Sequence, residues 1–197
     1  MPGSRRAVAT GRSLAPPPIE VLDGLPPAEC IAALGPLFEH APRFLARLCA
    51  ARPFGSYEEL FERAEAIALA MPEAEQVELV DAHPRLGADP ASVSALSFRE
   101  QGYDREPEPR DAADEAARVE RAQVDRELAR LNEAYEARFG FRFCVFVAGR
   151  PRSALVPVLE AALTADRGAE LRRALRDVVA IARDRYRRLG APGEPVG

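Results

Sequence analysis

The run Phe139-Gly-Phe-Arg-Phe-Cys-Val-Phe-Val-Ala-Gly149 decides the fold class of this chain. It is aromatic and β-branched, which is the composition of a strand, and it is bracketed by glycines. With a partner strand it would begin a sheet. No other stretch offers a clear partner, and a lone buried strand would leave its N–H and C=O groups unpaired. The expectation is therefore an all-α, single-domain helical bundle in which this run is one buried extended connector.

Helical spacing surrounds the connector on both sides. Before it, a long helix is expected from about Ala112 to Arg138, with Val124, Leu128, Leu131 and Tyr135 as the buried stripe. Asn132 and Tyr135 read as packing residues of that face. After it, Ser153 is a candidate cap for a helix through Leu163, and a last helix runs from about Ala169 to Leu189. Upstream, helical spacing starts at Pro26 with Ile31, Leu34 and Phe38, and Phe44, Leu45 and Leu48 continue it beyond Pro42. Ser56 is the expected N-cap of a helix that Pro72 stops, and a short helix then ends near His83 because Pro84 follows. Residues 87–94 and 102–111 read as loops. The division expected is a tail over 1–20, a helical domain over 21–190 and a tail over 191–197.

The chain has 197 residues, enough for a sizeable core, and a formal net charge of −4. It has no lysine, so all 27 basic residues are arginine. This balance advertises neither nucleic acid nor an anionic membrane, and no apolar run approaches the ~20 residues of a membrane span. Cys30, Cys49 and Cys144 are widely spaced and odd in number, so neither a disulfide framework nor a metal site is expected, and a reducing compartment fits best. The Arg-rich start lacks a secretory apolar core and the end carries no peroxisomal tripeptide. The expected location is cytoplasmic.

Three places could carry chemistry. In the last helix Leu171, Leu175, Val178, Ala182, Arg185 and Leu189 form one stripe, while Arg172, Arg173, Arg176, Arg183, Arg187 and Arg188 read as a solvated face. An arginine in an apolar stripe must be paired, snorkel to water or line a cavity, where it could clamp a planar anion. Ser97-Phe-Arg-Glu100 fits a capping box, but its carboxylate could also orient an imidazole or exchange a proton. His83 is either a helix C-cap whose charged form the helix dipole favours, or a general acid or base. His40 is given no role. There is no nucleophile elbow, phosphate loop or dinucleotide fingerprint.

Taken in order, "AHPRLG" from Ala82, "SFREQ" from Ser97, "ELARLNEAYEARFGFRFCVFV" from Glu127 and "ELRRALRDVVAIARDRY" from Glu170 resemble the 2-oxo-4-hydroxy-4-carboxy-5-ureidoimidazoline (OHCU) decarboxylases of urate breakdown. The likeness spans about Leu25 to Leu189. It implies a helical, cofactor-independent and metal-free enzyme that turns this small-molecule substrate into (S)-allantoin and CO2, and that forms a homodimer. By motif, His83 and Glu100 match the family's catalytic pair. Pro84, Ser97, Gln101, Phe143, Cys144, Val145, Phe146, Val147 and Arg185 match its substrate-binding positions. The family often has an acid and an alanine where this chain has Arg85 and Gly87. A sibling acting on another carboxylated imidazoline or lactam, or a helical module that binds without turnover, is the alternative.

Overall fold

The computed structural model of the chain describes residues 15–105 and 112–190. Nine α-helices follow one another among the described residues: α1 (Ile19–Gly24), α2 (Pro27–Leu34), α3 (Pro42–Ala50), α4 (Tyr57–Ala70), α5 (Glu73–Asp81), α6 (Ala95–Glu100), α7 (Ala112–Phe139), α8 (Val156–Ala162) and α9 (Arg167–Arg188). There is no strand among them, as the unpaired aromatic run required.

α9 is the axis of the bundle. It packs against α4, α5 and the 3-10 turn Gly35–Phe38, while α7 packs on α8 and α2 on α3. The stripe from Leu171 to Arg185 is buried, and Ala174, Val179 and Ile181 widen it into a broad face. Asp166 caps α9 by accepting from the Ala169 amide at 2.9 Å, and Ser56 caps α4 by accepting from Glu59 at 3.1 Å.

Residues 141–147 cross the bundle as an extended connector, and side chains satisfy the backbone that a sheet would otherwise have paired. The Arg142 amide donates to Asp81 Oδ1 at 2.8 Å, and Cys144 O accepts from Arg173 Nη1 at 2.9 Å. Arg150 donates to the carbonyls of Val147 at 2.9 Å and Phe146 at 2.6 Å. Phe141 and Phe143 meet Tyr135 edge-on, with centroids 5.7 and 5.1 Å away. Each buried phenyl contributes roughly 1.5–3 kcal/mol by leaving water, so the connector is anchored at both its side chains and its backbone.

Several expectations need correction. Cys30 and Cys49 form a disulfide, with Cα atoms 6.1 Å apart. Their separation of 19 residues conceals that α2 and α3 pack side by side. Ser97 is not a helix cap, because Ser94 occupies that position and accepts from the Ser97 amide at 3.2 Å. Ser153 does not cap α8, which starts at Val156 after a 3-10 turn. Ile19 is buried at the start of α1, and the Tyr57 hydroxyl donates to Pro17 O at 2.6 Å, so ordered structure reaches back past residue 20. Arg173 leaves the solvated face, since the connector lies against that side of α9. Residues 1–14 of the expected N-terminal tail, all of the expected C-terminal tail and residues 106–111 of the polar loop lie outside the described residues.

Candidate active site

α5, α6, α9 and the connector converge on one open pocket. All eleven residues singled out by motif line it: His83, Pro84, Ser97, Glu100, Gln101, Phe143, Cys144, Val145, Phe146, Val147 and Arg185. Four stretches far apart in sequence thus meet in one cavity.

α5 ends at Asp81, and the His83 amide still closes a last turn by donating to Val80 O at 3.1 Å. Pro84 forbids further helix, which leaves the imidazole projecting from the end. His83 is 3% exposed. Its Nδ1 lies 3.3 Å from Leu79 O, a contact that requires the proton on Nδ1. Nε2 then carries the free lone pair, and it is buried with no partner among the described residues. Burial, and then the charge of Arg185, push the ring's pKa down to about 4. The helix dipole therefore does not win here, because desolvation outweighs it. His83 is a neutral acceptor at neutral pH.

Arg185 is 1% exposed, and all five of its N–H donors are engaged. Nε and Nη2 grip Glu100 as a fork at 2.6 and 2.8 Å. Nη2 also reaches Glu39 Oε1 at 2.7 Å and Ser97 Oγ at 3.0 Å. Nη1 donates to Pro36 O at 3.0 Å and Leu37 O at 3.3 Å. The stripe arginine is thus neither snorkelling nor free. A ligand carboxylate can reach it only by displacing an existing acceptor.

Gln101 braces the site. Its Oε1 accepts from the Gly87 amide at 2.7 Å and its Nε2 donates to Arg85 O at 3.1 Å, which ties α6 to the loop after Pro84. Gly87 has φ +75, and a Cβ there would lie 3.4 Å from Leu128, so glycine suits this turn. Arg85 points outward to Glu136 in a bidentate pair at 2.6 and 2.5 Å. Asn132 Nδ2 donates to Leu86 O at 2.8 Å from α7, so it supports the same loop.

Behind the connector lies a second charged cluster. Arg173 pairs with Glu170 at 2.5 Å and Asp177 at 2.6 Å, and the Tyr135 hydroxyl donates to Glu170 at 2.8 Å. Asp177 also accepts from the Phe146 amide. This cluster holds the pocket's backbone wall from outside. Burial pushes the Cys144 thiol up to about 12, so it stays protonated and is a poor nucleophile.

Sequence reasoning gave no role to Glu39, Asp184 or Arg188. Asp184 and Arg188 line the pocket and pair at 2.6 Å, one turn apart on α9. Their flanking of Arg185 at i−1 and i+3 was a readable signal. Glu39 gave none, because only the fold of residues 35–40 brings it near. Among the described residues no cluster of His, Cys, Asp and Glu could hold a metal ion, and no helix is long and apolar enough to cross a membrane.

Comparison with known proteins places this geometry. The sequence profile of the OHCU decarboxylase family matches residues 23–187. The chain is 30% identical over 152 residues to the 2-oxo-4-hydroxy-4-carboxy-5-ureidoimidazoline decarboxylase of Haloferax volcanii, covering 77% of this chain and 83% of that protein. It is 34% identical over 152 residues to the uric acid degradation bifunctional protein PucL of Bacillus subtilis, covering 77% of this chain but only 28% of that longer protein. Among solved structures, an OHCU decarboxylase crystallised in the presence of (S)-allantoin has a TM-score of 0.54 at 21% identity, with 76% of this chain and 91% of that one covered. An (S)-allantoin synthase has a TM-score of 0.57 at 20% identity, with 88% and 54% covered. The two structural likenesses speak for the fold.

Proposed function

This chain belongs to the OHCU decarboxylase family, and from that membership and the pocket's geometry we propose that it decarboxylates 2-oxo-4-hydroxy-4-carboxy-5-ureidoimidazoline to (S)-allantoin and CO2 in uric acid degradation. The observation that carries the reading is the unpartnered Nε2 of a neutral His83 in the same pocket as the Glu100 carboxylate gripped by Arg185.

In this reading the bond from the ring to the carboxylate breaks, its electron pair enters the ring's conjugated carbonyl and imine system, and CO2 departs. No outside electron sink is needed. The protein has to orient the substrate, withdraw water from the carboxylate and place one proton on one face of a ring carbon. His83 Nε2 accepts a proton from the substrate's hydroxyl or ring N–H, the resulting imidazolium delivers the stereo-defining proton to the ring carbon, and the ring nitrogen that received the electron pair takes the one further proton from water. Glu100 accepts a hydrogen bond from the same polar edge.

Arg185 works chiefly through Glu100. With its donors already engaged it keeps that carboxylate aimed, and it contacts substrate only where substrate replaces an existing acceptor. Such a restrained grip suits the reaction, because tight binding of the departing carboxylate would stabilise the ground state. Amides of the connector from Phe143 to Val147, apart from the Phe146 amide that Asp177 already engages, supply neutral donors for the substrate's carbonyls. Arg188, half-exposed at the mouth, is the cation an incoming carboxylate meets first. The active form in this reading is a homodimer.

The test is the rate of loss of freshly generated substrate. The wild-type protein should exceed spontaneous decay, whereas His83→Ala and Glu100→Ala should each fall by about a hundredfold or more. Full activity in both variants would overturn the assigned roles, and a wild-type rate equal to spontaneous decay would overturn the function.

A further inference from the structure

Glu39 belongs to none of the four motifs, yet the polar heart of the pocket is built on it. It follows the 3-10 turn Gly35–Phe38 with φ 46 and ψ 36, and His40 after it has φ 57. Two consecutive non-glycine residues in the left-handed region are uncommon, and such strain persists only where surrounding contacts enforce it. Gly35 makes the turn possible, because a Cβ there would collide with the His40 ring. The result is that Glu39 points inward while His40 stays exposed.

Oε1 of Glu39 collects three donors: Arg185 Nη2 at 2.7 Å, Ser97 Oγ at 2.7 Å and Ser94 Oγ at 2.9 Å. The same turn offers the Pro36 and Leu37 carbonyls to Arg185 Nη1. Residues 36–39 are thus a socket for one face of the guanidinium, with Glu100 filling the other. Burial opposes the Glu39 charge, but Arg185 and the Ser97 hydrogen bond outweigh it and hold the carboxyl below its ordinary value. Arg185 therefore sits between two carboxylates, which limits how strongly it can hold Glu100 alone.

We infer that Glu39 is a positioning residue of this site: its carboxylate fixes the Arg185 fork and the Ser97 hydroxyl, sets the orientation in which Glu100 is presented, and supplies the negative charge that His83 faces from the α2–α3 turn. This rests on the reading of the pocket as an active site. The other charged or titratable groups around His83 are Arg185 and, at the mouth, Asp184 and Arg188 from α9, Glu100 from α6, and Cys144 and Arg142 from the connector, the last donating from Nη1 to the His83 carbonyl at 3.1 Å. Among these Glu39 favours the protonated ring and Arg185 disfavours it.

Glu39→Gln separates charge from shape, because the amide oxygen can keep the three donors while the charge is lost. In Glu39→Gln, kcat should fall about tenfold or more with KM little changed. The His83 ring, followed by NMR in a chain with only two histidines, should titrate at lower pH than in the wild type. Wild-type kcat together with an unmoved His83 titration would overturn the inference. If Glu39→Gln does not fold, Glu39→Asp keeps the charge and shortens the reach. Its His83 titration should stay near wild type while kcat drops, and an undiminished kcat would overturn the inference. The titration needs no turnover, so it still tests Glu39 if the wild-type protein proves not to decarboxylate.

Discussion

Replacing His83 with Gln removes a ring that the fold buries in neutral form, and the pH dependence of stability should change with it. Burial first and Arg185 second move the ring from an ordinary pKa near 6.5 to about 4. Between those values the unfolded chain binds a proton that the folded chain refuses, so wild-type stability falls as pH drops through this window and levels off below it. The interval corresponds to about 3 kcal/mol in all, of which roughly 2 kcal/mol is lost by about pH 5. Carboxylates held below their ordinary value, such as Glu39, lose their contribution only at lower pH, and buried Asp177, whose pKa is raised, acts in the opposite sense. These remain in both proteins and cancel in the comparison. Urea unfolding of wild type and His83→Gln at about pH 7.5 and about pH 5 measures the difference. The wild type should lose about 2 kcal/mol more than the variant on acidification. Equal losses would refute the assignment of His83 as a buried neutral ring.

Other perturbations read other parts of the structure. Converting Cys30 and Cys49 to serine opens the link between α2 and α3 and should lower stability by about 3 kcal/mol for a loop of this length, seen as a lower urea midpoint; thiol titration of the unreduced, denatured wild type should find Cys144 alone. Arg173→Met leaves Glu170 and Asp177 without their cation and should cost about 3 kcal/mol or more, measured by the same unfolding curves. Arg188→Gln should raise KM by roughly two- to fivefold with kcat nearly unchanged, the effect of a screened surface charge, and added salt should shrink it.

The fold class was legible because two constraints acted together. The stripes on α7 and α9 called for helices, and the aromatic run at 139–149 lacked a strand to pair with. What periodicity could not show was how the run's backbone is satisfied, since Asp81, Arg150 and Arg173 come from three different segments. Arg185 stood out by its place in an apolar stripe, and the motif order supplied its companions. Ser97 was misread because Ser94 and Ser97 both suit a cap, and only the chain's entry into α6 chooses between them. Glu39, the Cys30–Cys49 bond and the Arg173 cluster were invisible for one reason: each depends on which faces of neighbouring elements meet, and that is settled by tertiary packing. Arg85, the departure from the family pattern beside His83, turns to Glu136 and leaves the pocket's chemistry to others.

Stereochemistry tests the central claim most directly, because spontaneous decay of the substrate has no means of choosing a face. Circular dichroism should be followed while freshly generated substrate is consumed by wild type and by His83→Ala. The wild type should yield optically active (S)-allantoin from the start of the reaction, and the variant should yield racemic product near the spontaneous rate. Racemic allantoin from the wild type, or undiminished optical activity from the variant, would contradict the account.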